Sequence, residues 1–369
     1  MRVEILDLAK SDRVALDAHL GEMPSLYEMR WLRPSTVFQQ PSMIIACAEK
    51  ARQSGHKPVI ALVRHGGQIE TMWPLKIKRQ LGVAIATDLA SPITQYSDVI
   101  GKPLAAEALA DLGAQLRAAY AIDALQTRNV RGDSGLMPAF AERPGSIVAR
   151  SDAPYIDLAG YRDFAEYSTR FGKNTTRNRR QRRNNLQRLH GYIDFRVLRG
   201  AEAQPALRTA LEWKRMWLKQ NGLFSRVFDR GVNESALINS AAHPSVCLSV
   251  LSVAGRPAAI EMGLIAGDHY AAYLGAFDAK FAEFSVGQEQ MLRTIEWCMQ
   301  QGLQRYDLLP PSADYKMQWV RGQTPDPVVD HCLALSAAGR AYALLQRHGK
   351  TNARRALAAI PRSLRRFMT

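Results

Sequence analysis

Hydrophobic and polar residues change their period several times along the chain, and each change marks an element. Between residues 246 and 277, three apolar runs rich in Val, Leu, Ile, Ala and Tyr (246–253, 257–265 and 269–277) are separated only by Ala254-Gly255-Arg256 and Ala266-Gly267-Asp268. Short runs joined by glycine-containing turns predict an antiparallel meander. Directly behind them, Met291, Leu292, Ile295, Cys298 and Met299 recur at helical spacing after Ser285-Val286-Gly287-Gln288. There Ser285 and Gln288 have the form of a capping box, which predicts a helix start. Upstream, residues 170–190 read as a basic helix ended by Gly191. Residues 203–220 read as a second helix, with Leu207, Leu211, Trp217 and Leu218 near one face. Downstream, residues 306–309 read as a strand stopped by Pro310 and Pro311.

The first half alternates similar signals. Residues 59–64 and 69–77 flank Gly66-Gly67 and predict a hairpin, and residues 105–121 predict a helix. Residues 143–154 contain Pro144, Gly145, Ser151 and Pro154 without helical period, which marks a linker. A chain of 369 residues exceeds one ordinary core. The expected division is therefore residues 1–150, a second domain at 151–335, and a basic helical tail at 336–369.

Composition adds that the chain is an ordinary packed protein, 47% hydrophobic and 22% charged. No run approaches the ~18 apolar residues of a membrane span, and Glu4 and Asp7 stand where a signal peptide would be basic, so a cytoplasmic protein is expected. Cys47, Cys247, Cys298 and Cys332 are too scattered for a disulfide framework or zinc spacing, and read as reduced structural thiols. Charge is concentrated. Residues 170–190 and 340–369 each hold eight Lys or Arg and no acid, and together they account for the whole +15. Two basic patches on a nearly neutral body favour polyanionic partners.

Two helices, a three-strand meander, a helix and a strand follow the order of the GNAT acyltransferase core. The local sequence narrows the likeness. Gly255-Arg-Pro-Ala-Ala-Ile260, the run 273–278, Phe284-Ser-Val-Gly287, Tyr306-Asp307 and Asp314-Tyr-Lys-Met-Gln-Trp319 resemble the CelD-type, cellulose-biosynthesis-associated GNAT proteins, relatives of the FemAB-like aminoacyl transferases. Residues 38–41, 63–75 and Gln95-Tyr-Ser-Asp98 are similar to that family's degenerate first repeat. The resemblance implies a mixed α+β, α/β-type fold of tandem GNAT-like domains, each a mostly antiparallel sheet flanked by helices, the first of them degenerate. It implies an acyl-CoA co-substrate, acetyl-CoA foremost, and no metal. Where the family carries Gln/Arg-x-x-Gly-x-Gly/Ala, this chain offers only Gly287.

The resemblance also implies a place for the chemistry. The donor's phosphates would meet Ser285, Val286, Gly287 and Gln288 at a helix N-terminus, where amides and the helix dipole favour anions. Its acyl arm would lie where strands 269–277 and 306–309 splay. Tyr315 would protonate the leaving thiolate, Lys316 would neutralise the oxyanion or a substrate anion, and Glu261 or, alternatively, Asp278 would deprotonate the acceptor. Each residue has a plainer reading: Glu261 on a solvated strand face, Tyr315 as a rim aromatic, Lys316 as a surface lysine, and the 285–288 segment as a cap only.

The expected acceptor is an amine or hydroxyl of a small molecule or an envelope polysaccharide precursor, with an acidic carrier protein as a further partner. Two rival functions remain at this point. One is a FemAB-like transferase fed by aminoacyl-tRNA, for which Arg170 to Arg188 would contact phosphates. The other is a non-catalytic, membrane-peripheral component of a polysaccharide machine, held by a tail of short amphipathic helices interrupted at Gly349 and Pro361. Other nucleic-acid binding is disfavoured, because the arginine segment lacks interleaved aromatics.

Overall fold

Two separate sheets organise the chain in the computed structural model, which describes residues 1–8, 21, 33–225, 227–228 and 231–359. The strands are β1 (Arg2–Asp7), β2 (Lys57–His65), β3 (Gln68–Gln80), β4 (Val83–Asp88), β5 (Ile100–Gly101), β6 (Ala124–Arg131), β7 (Ile147–Ala153), β8 (Tyr155–Asp157), β9 (Ile193–Arg199), β10 (Val246–Val253), β11 (Arg256–Ala266), β12 (His269–Phe277), β13 (Arg305–Asp307) and β14 (Asp326–Ala334). The helices are α1 (Pro41–Gln53), α2 (Ala106–Tyr120), α3 (Met137–Ala141), α4 (Phe164–Thr169), α5 (Lys173–His190), α6 (Ala203–Gln220), α7 (Val232–Ser240), α8 (Val286–Gln300), α9 (Asp314–Val320) and α10 (Ala337–Ala359).

The first unit holds Met1–Ala153, Pro310–Ala313 and the chain from Pro325 onward. Its sheet runs β1-β2-β3-β4-β6-β14-β7, with β5 paired to β3. β2 is buried almost throughout, as a central strand requires. Helix α2 turns Ala108, Leu109, Leu112 and Leu116 onto Val59, Trp73, Leu75 and Leu125 of the sheet, an apolar stripe at helical period. It stops where Ala121 turns left-handed, at φ 52°.

Two expectations about this unit are corrected. Residues 143–154 are not a linker: they contain β7, which pairs antiparallel with β14. As a half-exposed edge strand, β7 carries polar Arg150, Ser151 and Asp152 and so gives no apolar run. Nor does the second domain run unbroken to residue 335 before a separate tail. β14 inserts between β6 and β7 of the first sheet, and α10 packs Tyr342 on Ile85, Val148 and Cys332. The start of α10 is pinned, because Ser336 Oγ donates to the Asp123 carboxylate at 2.6 Å and accepts the Gly339 amide at 3.1 Å. A side chain at Gly339 would overlap the Asp123 carbonyl, so the close approach depends on glycine. The helix passes through Gly349 unbroken, since one internal glycine costs only about 1 kcal/mol. Pro361 lies outside the described residues.

The second unit holds Pro154–Leu309 and Asp314–Thr324, with the sheet order β8-β13-β12-β11-β10-β9. The expected meander is β10-β11-β12, antiparallel throughout. Its first turn is Ala254-Gly255, both with positive φ (48° and 77°), as a two-residue hairpin loop requires. α5 and α6 stand where the periodicity places them. Edge strand β9 was not anticipated, because its residues are mostly half-exposed and give no run. Gln290 and Thr294 of α8 meet Ser249 of β10. Alternation along the strands therefore directs Leu248, Val250, Ile260 and Met262 to the other face.

Candidate functional site

The parallel pairing of β13 with β12 is brief. Three rungs join them, His269 with Arg305, Tyr270 with Tyr306 and Ala271 with Asp307, although β12 continues to Phe277. Beyond Ala271 this edge of β12 has no strand partner among the described residues. Unpaired backbone donors and acceptors beside a buried fork suit an extended ligand, because such groups demand partners.

At the base of the fork sits Glu261, on β11 and only 6% exposed. The reading that it alternates into solvent does not hold: Tyr306 Oη donates to its Oε1 at 2.6 Å and Tyr270 Oη at 2.9 Å. Burial pushes its carboxyl up to about 7, and hydrogen bonds from Tyr306, Tyr270 and Gln290 hold it back from rising further. Both phenols are themselves driven well above the usual tyrosine range, by burial first and then by the charge of Glu261. Gln290 extends the network by donating to Ser249 Oγ (2.6 Å) and Thr294 Oγ1 (2.7 Å). Gly263 leaves the space that the Tyr270 ring fills, since an added Cβ there would overlap it. Tyr270, Gln290, Ser249 and Thr294 were not singled out from the sequence, where they are scattered polar positions in apolar runs. The one available signal was that Glu261, Ser249 and Gln290 all interrupt such runs.

Helix α9 presents Tyr315 and Lys316. Tyr315 is 52% exposed as a residue, and its phenol is raised, first by desolvation and then by the charge of Glu261. Lys316 Nζ donates to the Leu309 carbonyl at 2.7 Å. Burial lowers this amine to about 8, with Asp307 opposing and Lys214 of α6 adding to the shift. Asp307 is buried and accepts the Leu309 amide at 2.7 Å, fixing Leu309 at φ 61°. Asp278 does not join this group. Its carboxylate accepts the Lys280 amide at 3.0 Å and caps the short helix Ala279–Phe284.

The expected capping box is not formed. Ser285 is left-handed (φ 54°, ψ 42°) and makes no side-chain cap, and only its carbonyl receives the Gln288 amide, at 2.9 Å. In that conformation its hydroxyl turns away from the helix, where Arg182 of α5 donates to it at 2.8 Å. Val286, Gly287 and Gln288 form the first turn of α8, which also carries Glu289, bonded by Arg293 at 3.1 Å and 3.9 Å from Arg183. At this helix end Arg182 is exposed, and the nearby Glu289 carboxylate is offset by Arg293 and Arg183. That arrangement fits a phosphate group. Not every arginine of α5 is available to a ligand. Arg179 lies 4.2 Å from the Phe171 ring and 4.7 Å from that of Trp319, and burial lowers its pKa. It anchors the helix to the aromatic group of Tyr161, Phe164, Tyr167, Phe171 and Trp319.

No curated protein matches the sequence. Several solved structures share the fold. A conserved protein of unknown function from Bacteroides thetaiotaomicron VPI-5482 aligns over 87% of this chain and 98% of its own, with a TM-score of 0.55 and 12% identity. The C-terminal domain (DUF2156) of a putative lysylphosphatidylglycerol synthetase from Agrobacterium fabrum aligns over 90% and 96%, with a TM-score of 0.53 and 14% identity. FemX aligns over 82% and 93%, with a TM-score of 0.55 and 12% identity. At such identities the likeness is one of fold. Residues 173–317 match the family model described as an acetyltransferase (GNAT) domain, and over most of its length the chain shares its fold with these solved structures.

Proposed function

We propose that the second unit is an acyltransferase that moves an acyl group from a thioester, acyl-CoA in the first instance, to an amine or hydroxyl. The observation that carries this reading is the fork between β12 and β13 with a proton-accepting carboxyl at its base. The unpaired edge of β12 supplies backbone partners for the acyl arm. The start of α8 with Arg182 supplies the phosphate contact. Glu261, poised near neutrality, takes the acceptor's proton through the Tyr306 or Tyr270 hydroxyl. The acceptor's lone pair then attacks the thioester carbonyl, Lys316 offsets the oxyanion, and the C–S bond breaks. Tyr315 gives its proton to the departing thiolate and is reprotonated by the excess proton of the acylated nitrogen or, for a hydroxyl acceptor, from solvent. The finer kinship with CelD-type proteins, and with it a polysaccharide precursor as acceptor, rests on the motif residues around 255–260 and 314–319 and is part of the same proposal.

The test is direct: purified protein with acetyl-CoA and a panel of amines, following free-thiol release, with CoA titrated by calorimetry. Thiol release that depends on acceptor supports the reading. Absence of both CoA binding and thiol release overturns it. A second donor is favoured by one observation, the exposed, acid-free face of α5 carrying Arg177, Arg180 and Arg188. If aminoacyl-tRNA is the donor, affinity for charged tRNA should fall steeply with salt while CoA does not bind.

A further inference from the structure

The second basic segment of the sequence is not used by the site above. At its start, Arg340, Ala343, Leu344 and Arg347 of α10 fall at positions i, i+3, i+4 and i+7 and so share one face of the helix. The sheet takes Tyr342 from the neighbouring face. The shared face instead lines a cavity of about 390 Å³ that belongs wholly to the first unit. That volume falls within the roughly 300–1,000 Å³ of small-molecule sites. Cys332, Leu333 and Ala334 of β14 and the stretch Arg143 to Ser146 complete the lining.

The cavity is held in shape by its own contacts. Ser146 Oγ and His331 Nδ1 meet at 2.9 Å, which ties the turn Pro144–Ser146 to β14. Arg347 Nη2 donates to the Gly145 carbonyl at 2.8 Å, which ties α10 to the same turn. Arg143 Nη2 donates to the Ala106 carbonyl at 3.1 Å, while its Nε is buried without a hydrogen-bond partner among the described residues. Neutral carbonyls orient these two guanidiniums without cancelling their charge. Arg340 adds a third cation, and no Asp or Glu lines the space. Between Arg340 and Arg347 on the same face, Leu344 is 52% exposed, so charge and accessible apolar surface alternate along one wall. Guanidinium groups suit carboxylate or phosphate oxygens, and the apolar wall gains only from an apolar body laid against it.

We propose that this cavity binds a small anionic amphiphile, a molecule with one carboxylate or phosphate head and a short apolar body. Arg143, Arg340 and Arg347 take the head, and Leu344 with the apolar residues of β14 takes the body. The site is independent of the acyl-transfer reading.

The experiment titrates the full chain by calorimetry with sodium octanoate and with octyl phosphate, each below its micelle-forming concentration. Acetate, inorganic phosphate and octanol supply the heads and the body alone. The site predicts saturable binding of octanoate or octyl phosphate, roughly tenfold or more tighter than its isolated head and than octanol, and the tighter of the two identifies the head. Arg340→Glu reverses one lining charge and should weaken that binding roughly tenfold, and Leu344→Asn should weaken it about threefold. Arg208→Glu, the same charge change on α6 of the second unit, should leave it intact. Absence of saturable binding overturns the site, as does equal affinity for octanol and octanoate, or binding that neither Arg340→Glu nor Leu344→Asn weakens. Attachment to phosphatidylglycerol vesicles without binding of either soluble amphiphile also overturns it, since the segment would then act as a membrane surface. Both altered side chains are exposed, and thermal unfolding checks that each variant folds. If one does not fold, the other decides.

Discussion

Glu261 is where a single residue determines most. Its carboxyl is raised from an ordinary 4.5 to about 7. Between those values the folded state holds a proton that the unfolded chain has released, so stability falls as pH rises through that window. Glu261→Gln, which cannot ionise, should therefore be the more stable protein at pH 8 and show a flatter dependence from pH 5 to 8, measured by thermal unfolding. Activity should move the other way. For the proposed transfer, the wild-type rate rises through about pH 7 as the carboxyl ionises, and Glu261→Gln should lose that limb and roughly 10²–10⁴ in turnover. A variant retaining the rise would remove Glu261 from the base role. Tyr306→Phe tests the network structurally. It removes the donor at 2.6 Å from a buried acceptor and should cost about 1–3 kcal/mol in denaturant unfolding.

At the scale of elements, the start of α8 and the face of α5 make separable contributions. An added Cβ at Gly287 meets only the Phe277 ring, at 3.5 Å, so Gly287→Ala should keep donor affinity. Gly287→Glu places a negative charge at the helix N-terminus and should weaken the donor severalfold, by about 1 kcal/mol, in calorimetry. Equal affinities for the two variants would exclude this turn as the phosphate contact. On α5, reversing exposed Arg177, Arg180 and Arg188 to Glu should raise KM and flatten its salt dependence with kcat nearly unchanged, because long-range attraction acts on encounter. Arg179 must be spared. Its stacking on Phe171 and Trp319 makes its loss a folding defect.

For the whole molecule, the two units differ in the polar groups they bury. The second has the fork and the buried carboxyl, and donor stoichiometry should be one per chain; two donors bound per chain would show a second centre of the same kind. The first buries Lys50, Lys76 and Asp88. What the sequence by itself determined is whatever depends on neighbours along the chain. The meander 246–277 with its Ala254-Gly255 turn, the helices α2, α5, α6 and α8, and the hairpin around Gly66-Gly67 follow from local period and turn chemistry. The positions of Glu261, Tyr315 and Lys316 were legible as residues that break or follow those patterns.

The tertiary structure decided what depends on residues far apart. It placed β14 between β6 and β7, assigned residues 325 onward to the first unit, and made residues 147–153 a strand and not a linker. It gave the Ser285 hydroxyl to Arg182, 103 positions away, in place of a cap. It also assembled Glu261 with Tyr270 and Tyr306. Strand order, burial and the pKa values that burial sets are properties of packed neighbours, and one-dimensional period carries no record of which neighbours those will be.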